Sequence, residues 1–382
     1  MRIAIIRSTL HRGSGQAVHI SELSRHLIKL GNYVRVFSRK IECESLSDIG
    51  RELRFSADSI PFARHLGFSA ACVSGIKEFD LVHTQYHPAI IAGNWIHQLK
   101  KWPHVFTYHG FAPIRTWRNP IQKLKMVDHR VGTYFSARLG VDKIIAVSNF
   151  LKNELVTWYH LDPELVHVVY NGVDLERFNP SIDCQEARQA CYPGDNPVVA
   201  SVGRLAPYKG PQFLLEAIPH VLKEIPEAKF TFVGSARFDA PKIAQLIRRS
   251  DIKNAVRFTG YVSDEMLPAF YSFCDVFCYP SLWEGFGLTP AEAQAAGKPV
   301  VAFNTCALPE VVEDGVTGFL VPPRDSDALG EAIVRLLSDN EMRRRMGQKA
   351  RIRAEQMFSW EKAAHRTLEV YEEALREHET HR

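Results

Sequence analysis

Two consecutive parallel-sheet α/β domains are what this sequence predicts, on three observations. Short β-branched runs alternate with helix-period segments from one end of the chain to the other, as βαβ units do. The 382 residues exceed what one hydrophobic core usually organises. The alternation also breaks once, across a polar stretch that carries Pro180, Pro193, Gly194 and Pro197.

The first series has strand runs at Arg2 to Arg7, Tyr33 to Phe37, Leu81 to Thr84, Val105 to Tyr108, Lys143 to Val147 and Val166 to Tyr170. Helical patterns near Gln16 to Leu30, Ile90 to Lys100, Pro120 to Arg138 and Asn149 to Tyr159 separate them. The second series has strands at Val198 to Val202, Lys229 to Val233, Val256 to Thr259, Val276 to Tyr279 and Val300 to Phe303, and helical segments close the chain, the last around Trp360 to Arg376. The division that follows is a first domain over 1–176, a linker over 177–196, a second domain over 197–358 and a C-terminal helix over 359–382 that returns to the first domain. Ligands of such sheets gather outside the carboxyl ends of the strands, so a cleft between the domains is the expected site.

Hydrophobic residues make up 46% and charged residues 24%, the balance of a folded, water-soluble chain rather than a disordered or fibrous one. No apolar run reaches the length of a membrane span, and the opening Met1 to Arg7 reads as a strand, not a leader. Seven cysteines without CxxC spacing suggest neither a disulfide framework nor a zinc site and fit a reducing cytoplasm. No histidine cluster has metal spacing, so no metal and no cofactor are expected. The net charge of +4 hides an asymmetry: residues 1–190 hold 24 Lys/Arg against 17 Asp/Glu, and the remainder 23 against 26. Its densest source is Lys100 to Lys143, where nine basic residues meet only Asp128 and Asp142. So slight a net charge, without a recognised binding module, argues against nucleic acid as a partner.

Four segments at strand ends carry residues suited to chemistry. His11-Arg12-Gly13-Ser14-Gly15-Gln16 follows the first strand, and its glycines let a ligand reach backbone N–H groups at a helix start. It is neither a dinucleotide fingerprint nor a Walker loop, and a turn serving geometry alone is an equal reading. Gly203-Arg204-Leu205-Ala206-Pro207-Tyr208-Lys209-Gly210 places two cations at a strand-to-helix turn, where Arg204's planar fork and Lys209's point charge suit a diphosphate. Glu284-Gly285-Phe286-Gly287-Leu288 leads into a helix that contains Glu292. The two carboxylates can accept hydrogen bonds from sugar and ribose hydroxyls, while N–H groups at Gly287 and Leu288 meet phosphate. In Thr107-Tyr108-His109-Gly110 a histidine directly follows an apolar strand, an active-site address that a structural histidine also occupies.

Together these segments resemble the retaining glycosyltransferases of family 4, with two facing Rossmann-like domains of GT-B architecture. The resemblance spans nearly the whole chain. It rests on Gly13-Ser14-Gly15, Tyr108-His109-Gly110, Asn171-Gly172-Val173-Asp174, Gly203-Arg204 with Lys209-Gly210, Glu284 and Glu292 as an E-x7-E spacing, and Leu308-Pro309-Glu310 with Asp314-Gly315 and Thr317-Gly318. It implies that Arg204 and Lys209 bind the diphosphate of a UDP- or GDP-linked sugar and that Glu292 holds the ribose. Glu284, with the amides of Phe286, Gly287 and Leu288, would grip the transferred sugar and phosphate. It further implies that His109 contacts that sugar, that Gly15 lets the first loop approach the diphosphate, and that Val262 meets the base. Transfer would go to a glycan, glycolipid or small-molecule acceptor by a front-face route, the departing phosphate taking the acceptor proton. One departure is Asn304-Thr305-Cys306-Ala307-Leu308, where the family commonly has paired glycines before Pro-Glu.

Two other functions remain open on the residues: a nucleotide-sugar epimerase on a similar scaffold, and a sugar-nucleotide-binding partner subunit without turnover. A glycan phosphorylase would need a pyridoxal lysine site, which is not found. Asp325-Ser326-Asp327 spells a metal-binding DxD but precedes a helical run, where Asp serves as a cap. Residues 111–130 interleave Phe111, Ile114, Trp117, Ile121, Leu124, Met126 and Val127 with Arg115, Arg118, Lys123 and Lys125. This segment is either a peripheral contact with an anionic inner membrane face or a helix packing its apolar side on the first domain.

Overall fold

The computed structural model describes residues 1–11, 13–54, 61–116, 119–192, 194–235, 245–246 and 251–380, without the side chains of 61–64 and 115. Arg12 of the first loop, Trp117, Arg118 and the Arg115 side chain of the basic segment, and Pro193 of the polar break lie outside the described residues. The chain forms two compact units, Met1–Gly172 with Trp360–Arg382, and Val173–Ser359.

In the first unit β1 (Arg2–Ile6), β2 (Tyr33–Ser38), β3 (Gly50–Glu52), β4 (Leu81–Gln85), β5 (His104–Tyr108), β6 (Lys143–Ala146) and β7 (Val166–Val168) pair in parallel in the order β3-β2-β1-β4-β5-β6-β7. Alternation along β1 divides the core into two layers. Ile3 and Ile5 face Leu23 and Leu27 of the helix Gly15–Lys29 together with Tyr371, while Ala4 and Ile6 face Phe68, Cys72 and Ile96. Covered on both faces, β4 and β5 are buried throughout.

The helix Trp360–Thr380 belongs to this unit and buries Trp360, Ala363, Ala364, Thr367, Val370, Tyr371 and Ala374, one stripe at helical spacing. Lys143 Nζ donates to Glu373 Oε1 at 2.6 Å and to Glu377 Oε1 at 2.7 Å. A Cβ on Gly172 would come within 2.4 Å of the Trp360 backbone, so the outgoing and returning chain can pass this closely only with glycine there.

In the second unit β8 (Val198–Val202), β9 (Lys229–Val233), β10 (Val256–Gly260), β11 (Val276–Tyr279), β12 (Val300–Phe303) and β13 (Gly318–Val321) run in parallel in the order β10-β9-β8-β11-β12-β13. Phe230, Phe232, Val301 and Phe303 pack on Leu214, Ile218, Leu329, Ile333 and Leu336 of the helices Pro211–Glu224 and Ser326–Ser338. Asp325 caps the second of these, accepting from the Ala328 N–H at 2.9 Å, the structural role expected of it.

The polar break over 177–196 is packed within the second unit, which departs from the linker expected there. It holds the short helix Gln185–Cys191, and Arg188 donates to the carbonyls of Phe273 at 3.0 Å and Asn196 at 2.9 Å. The Tyr192 hydroxyl reaches the Phe230 carbonyl at 2.6 Å. Prolines and low periodicity mark a segment without long elements of its own, and side chains anchor it instead. The chain passes between the units at Gly172/Val173 and Ser359/Trp360.

Both sheets have the doubly wound order, which reverses between β1 and β4 in one unit and between β8 and β11 in the other. The carboxyl ends of those strand pairs are the places where open α/β sheets bind ligands.

Candidate functional site

The richest chemistry in the second unit lies at its β8/β11 reversal. After β8 the chain turns through Gly203 and Arg204 into the short turn Pro207–Lys209 and the helix Pro211–Glu224. Gly210, at φ +76°, carries no Cβ, and one placed there would sit 1.7 Å from the Pro280 carbonyl oxygen. That contact lets the loop after β8 lie against the loop after β11, where Leu282 N donates to Tyr208 O at 2.7 Å. The result seats Lys209 Nζ on Glu284 Oε1 and on the Tyr279 hydroxyl, the latter at 2.9 Å. Tyr279 itself donates to Glu284 Oε1 at 2.6 Å.

Burial works against the Lys209 ammonium, but Glu284, Tyr279 and Tyr208 outweigh it and hold its pKa above the ordinary lysine range. Glu284 is only 7% exposed, so this is a sequestered cation and carboxylate rather than a surface pair. Arg204 is exposed, and its Nη2 donates to the Tyr208 hydroxyl at 2.5 Å. The helix Leu288–Ala295 starts from Gly287, no side chain caps its first turn, and the Thr289 hydroxyl there is buried without a partner among the described residues. An open helix N-terminus with a charged pair beside it is suited to an anion that carries hydroxyls. Phe286 is buried edge-on to Phe358 and anchors the turn.

Glu292 projects from that helix toward another partner, accepting from the Tyr271 hydroxyl at 2.6 Å. Burial lifts its carboxyl to about 7, against the opposing pull of Tyr271 and Arg177. Val262 lies in the turn after β10, beyond Gly260 at φ +71°, and is partly exposed. The motifs alone assign Lys209 to a diphosphate and Glu284 to a sugar as separate groups; in the structure each is the other's partner. Tyr279, Tyr208 and Tyr271, which orient the four charged groups Lys209, Glu284, Arg204 and Glu292, were not anticipated. Tyr279 and Tyr208 signal themselves in sequence only as aromatics at strand-end turns, and Tyr271 lies within the helix Leu267–Phe273.

In the first unit His109 follows β5 and its Nε2 lies 2.6 Å from Gln85 Oε1, at the end of β4. With the Gln85 amide so oriented, His109 Nε2 donates, and Gln85 Nε2 donates toward His19 Nε2 and His83 Nε2, both at 3.3 Å. His19 Nδ1 then donates to Asn171 Oδ1 at 2.8 Å, and His83 Nδ1 to the Tyr371 hydroxyl at 2.6 Å. Burial, then His19 and Arg7, push the His109 pKa well below the ordinary range, and burial takes His19 to about 4. His109 is therefore a neutral imidazole whose tautomer follows from Gln85. Gly15 is the exposed first residue of the helix Gly15–Lys29, capped by Ser14, and the next side chain, Gln16, accepts from Arg7.

Among the described residues, two groups that chain spacing conceals have metal-ligating atoms within 4.8 Å of one another: His87, Asp128 and His129, and His97, Asp142 and His378. Both lie in the first unit, and each joins residues distant in the chain. A cleft of about 440 Å³ lined by Lys229, Lys253, Val256 and Arg257 lies at the starts of β9 and β10. That is the amino-end side of the strands, whereas Lys209 and Glu284 follow the carboxyl ends of β8 and β11, so the convergence of charged groups, and not this cleft, marks the candidate site.

Residues 185–353 match the family model of glycosyl transferases group 1, and residues 13–177 match that of glycosyltransferase family 4. The chain is 31% identical to an MMP alpha-(1->4)-mannosyltransferase of Mycolicibacterium hassiacum, over 98% of this chain and 98% of that one. It is 33% identical to a D-inositol 3-phosphate glycosyltransferase of Streptomyces bingchenggensis, over 78% of this chain and 67% of that one. Anabaena HepE, solved in complex with UDP-glucose, shares the fold with a TM-score of 0.83 and 24% identity, over 98% of this chain and all of that one.

Proposed function

The chain belongs to the family 4 glycosyltransferases and is a hexosyltransferase, and from that premise we propose that it takes its sugar from a nucleoside-diphosphate donor with retention of anomeric configuration. The observation that carries this reading is the sequestered Lys209–Glu284 pair beside the uncapped helix start at Gly287. On arrival of the donor, Lys209 turns to the diphosphate with Arg204, while Glu284 accepts hydrogen bonds from the sugar. The amides of Phe286, Gly287 and Leu288 receive phosphate oxygens, Glu292 takes the ribose hydroxyls and Val262 borders the base. In the first unit, neutral His109 serves as a hydrogen-bonding contact rather than a base.

In the transfer step the bond from the anomeric carbon to phosphate oxygen breaks and the bond to the acceptor oxygen forms on the same face. The acceptor proton passes to the departing phosphate, which keeps the electron pair. The catalytic load is then the charge growing on the diphosphate, which preorganised cations and helix N–H groups stabilise. These groups supply the positive charge, so no resident metal is assigned. The name of the D-inositol 3-phosphate relative supports trying small phosphorylated polyols as acceptors, beside glycans and lipid-linked sugars, with UDP- and GDP-sugars first among donors.

The basic segment adds a membrane contact to the reading. In the helix Pro120–Ser136, Ile121, Leu124, Val131 and Phe135 are exposed and share one face, with Lys123 and Lys125 beside them. No helix among the described residues is long and apolar enough to cross a membrane. Seven cysteines, none of them in a disulfide, support a reducing, cytoplasmic setting, with the exposed apolar face lying on an anionic membrane surface.

The test is a transfer assay over a panel of nucleotide sugars and acceptors, with the product's anomeric configuration read by proton NMR. Retention, persisting in EDTA, is expected; inversion or loss of transfer in EDTA contradicts the mechanism. Sedimentation with anionic vesicles, weakened by Leu124→Ser with Phe135→Ser, tests the membrane contact, and unchanged sedimentation removes it.

A further inference from the structure

At the β1/β4 reversal of the first unit stands a cation that the donor reading does not use. Arg7 directly follows β1 and is 9% exposed. Its Nη1 donates to Gln85 O at 3.3 Å and its Nη2 to Gln16 Oε1 at 2.5 Å, and its guanidinium lies 4.5 Å from the centre of the Tyr86 ring. Among the described residues no carboxylate pairs with it, and its Nε is buried without a partner. Burial lowers its pKa only to about 10, so the group stays charged. Proteins seldom bury a charge without a counter-charge, and here none comes from the described residues.

Aromatic and imidazole rings surround the guanidinium. Tyr86, which lies against Arg7, holds a left-handed φ of +68°, a conformation unfavourable for a residue with a side chain and common where binding demands it. The His129 ring is 5.3 Å from that of Tyr86 and stacked on Phe111 at 5.8 Å. His87 Nδ1 lies 3.1 Å from His129 Nδ1, and His65 stands 6.0 Å from His87 ring to ring. Asp128 is exposed at the rim, and Arg130 is turned to Glu154 at 3.8 Å. Burial keeps His87 and His129 neutral, each near 4, and Arg7 adds to the effect on both.

We propose that this cluster at the β1/β4 reversal binds the anionic group of the acceptor, a phosphomonoester or carboxylate, with Arg7 as its counter-charge and Tyr86, His87 and His129 around it. The acceptor clause rests on the glycosyltransferase reading above. The donor diphosphate has its own cations in the second unit, Lys209 and Arg204, and an open helix start. The 3.1 Å between the two imidazole nitrogens would also suit the edge of a tetrahedral metal site, but a neighbouring unpaired arginine favours an anion over a cation.

The experiment is calorimetric titration of the full chain with inorganic phosphate, and separately with acetate, in the presence of saturating UDP or GDP. One equivalent of either anion is expected to bind, phosphate marking a phosphomonoester and acetate a carboxylate as the natural group. Arg7→Gln should weaken that binding by roughly tenfold or more, Arg7→Lys should restore most of it, and nucleotide affinity should not change. Should Arg7→Gln fail to fold by thermal unfolding, His129→Phe, which keeps the stacking on Phe111, should weaken anion binding without touching nucleotide affinity.

The proposal is overturned if Arg7→Gln weakens nucleotide in place of the anion, if no anion binds beside saturating nucleotide, or if anion binding ignores both substitutions. Stoichiometric zinc binding lost in His129→Phe, with no anion binding, also overturns it in favour of a metal site. If neither nucleotide binds, the donor reading fails, while titration with phosphate alone still judges the Arg7 cluster.

Discussion

The two sheets share one strand order, yet the groups at their points of reversal differ in kind. At β8/β11 a lysine and a glutamate neutralise each other, and tyrosine hydroxyls complete their hydrogen bonds. At β1/β4 an arginine has no carboxylate partner among the described residues, and neutral histidines surround it. The fold decides where ligands bind, and the local charge balance decides what they are. A compensated pair can exchange partners when a polyhydroxylated anion arrives, whereas an uncompensated cation awaits a charge from outside.

Breaking the second-unit pair should have the largest effect. Glu284→Ala removes an acceptor for sugar hydroxyls and is expected to lower transfer by roughly a thousandfold. Nucleoside diphosphate affinity should change less than about threefold. Steady-state kinetics beside calorimetry will show whether the two readouts separate; an equal loss of both would move Glu284 from sugar to diphosphate.

On the first-unit side, Gln85→Leu should cut kcat/KM by about tenfold to a hundredfold by freeing the His109 tautomer, with Gln85→Glu restoring part of it. Because His109 is held neutral, its titration should leave no inflection in the pH profile of the wild-type enzyme between pH 6 and pH 9. An inflection lost in His109→Ala would make that imidazole a base.

The pH dependence of nucleotide binding sharpens the contrast further. Folding lifts the Glu292 carboxyl from 4.5 to about 7, so between those values the folded chain keeps a proton that the unfolded chain has lost. Its contribution to stability therefore falls as pH rises through that window and is level above it. Ribose hydroxyls donate to the ionised form, so nucleotide affinity should rise with pH up to about 7 and then level off. Glu292→Gln should flatten this profile; an unchanged slope would remove Glu292 from the ribose. The smallest effect is expected from Tyr371→Phe, which leaves His83 Nδ1 without its hydroxyl partner: a loss of about 1–3 kcal/mol on denaturant unfolding, with nucleotide affinity intact.

Much of this architecture was legible because buried parallel strands announce themselves as β-branched runs. β8, β9, β11 and β12 have the expected bounds, and β1, β4 and β5 each differ by one residue at one end. The short strands β3 and β13 escaped, since Gly50-Arg51-Glu52 is polar and Gly318 opens the other with a breaker. The helix Pro61–Gly75 and the anchoring of 177–196 also escaped, the second because its order comes from Arg188 and Tyr192 reaching distant carbonyls.

At the candidate site, residues in motifs were legible, and those defined by partners across the sheet were not. Gln85, Tyr279 and Arg7 look ordinary in sequence and acquire their meaning from neighbours on adjacent strands. Cys306 shows the opposite case: its φ of +52° explains why glycine is common in the family at that loop, a rule visible in sequence and strained here by a side chain.

The most direct measurement is calorimetric titration of a nucleotide-sugar panel into the wild-type chain and Lys209→Met. One equivalent of a UDP- or GDP-sugar should bind the wild type, and its affinity should fall by roughly tenfold or more in the variant. Equal affinity in both chains, or no binding by the wild type to any member of the panel, would contradict a donor site built on Lys209.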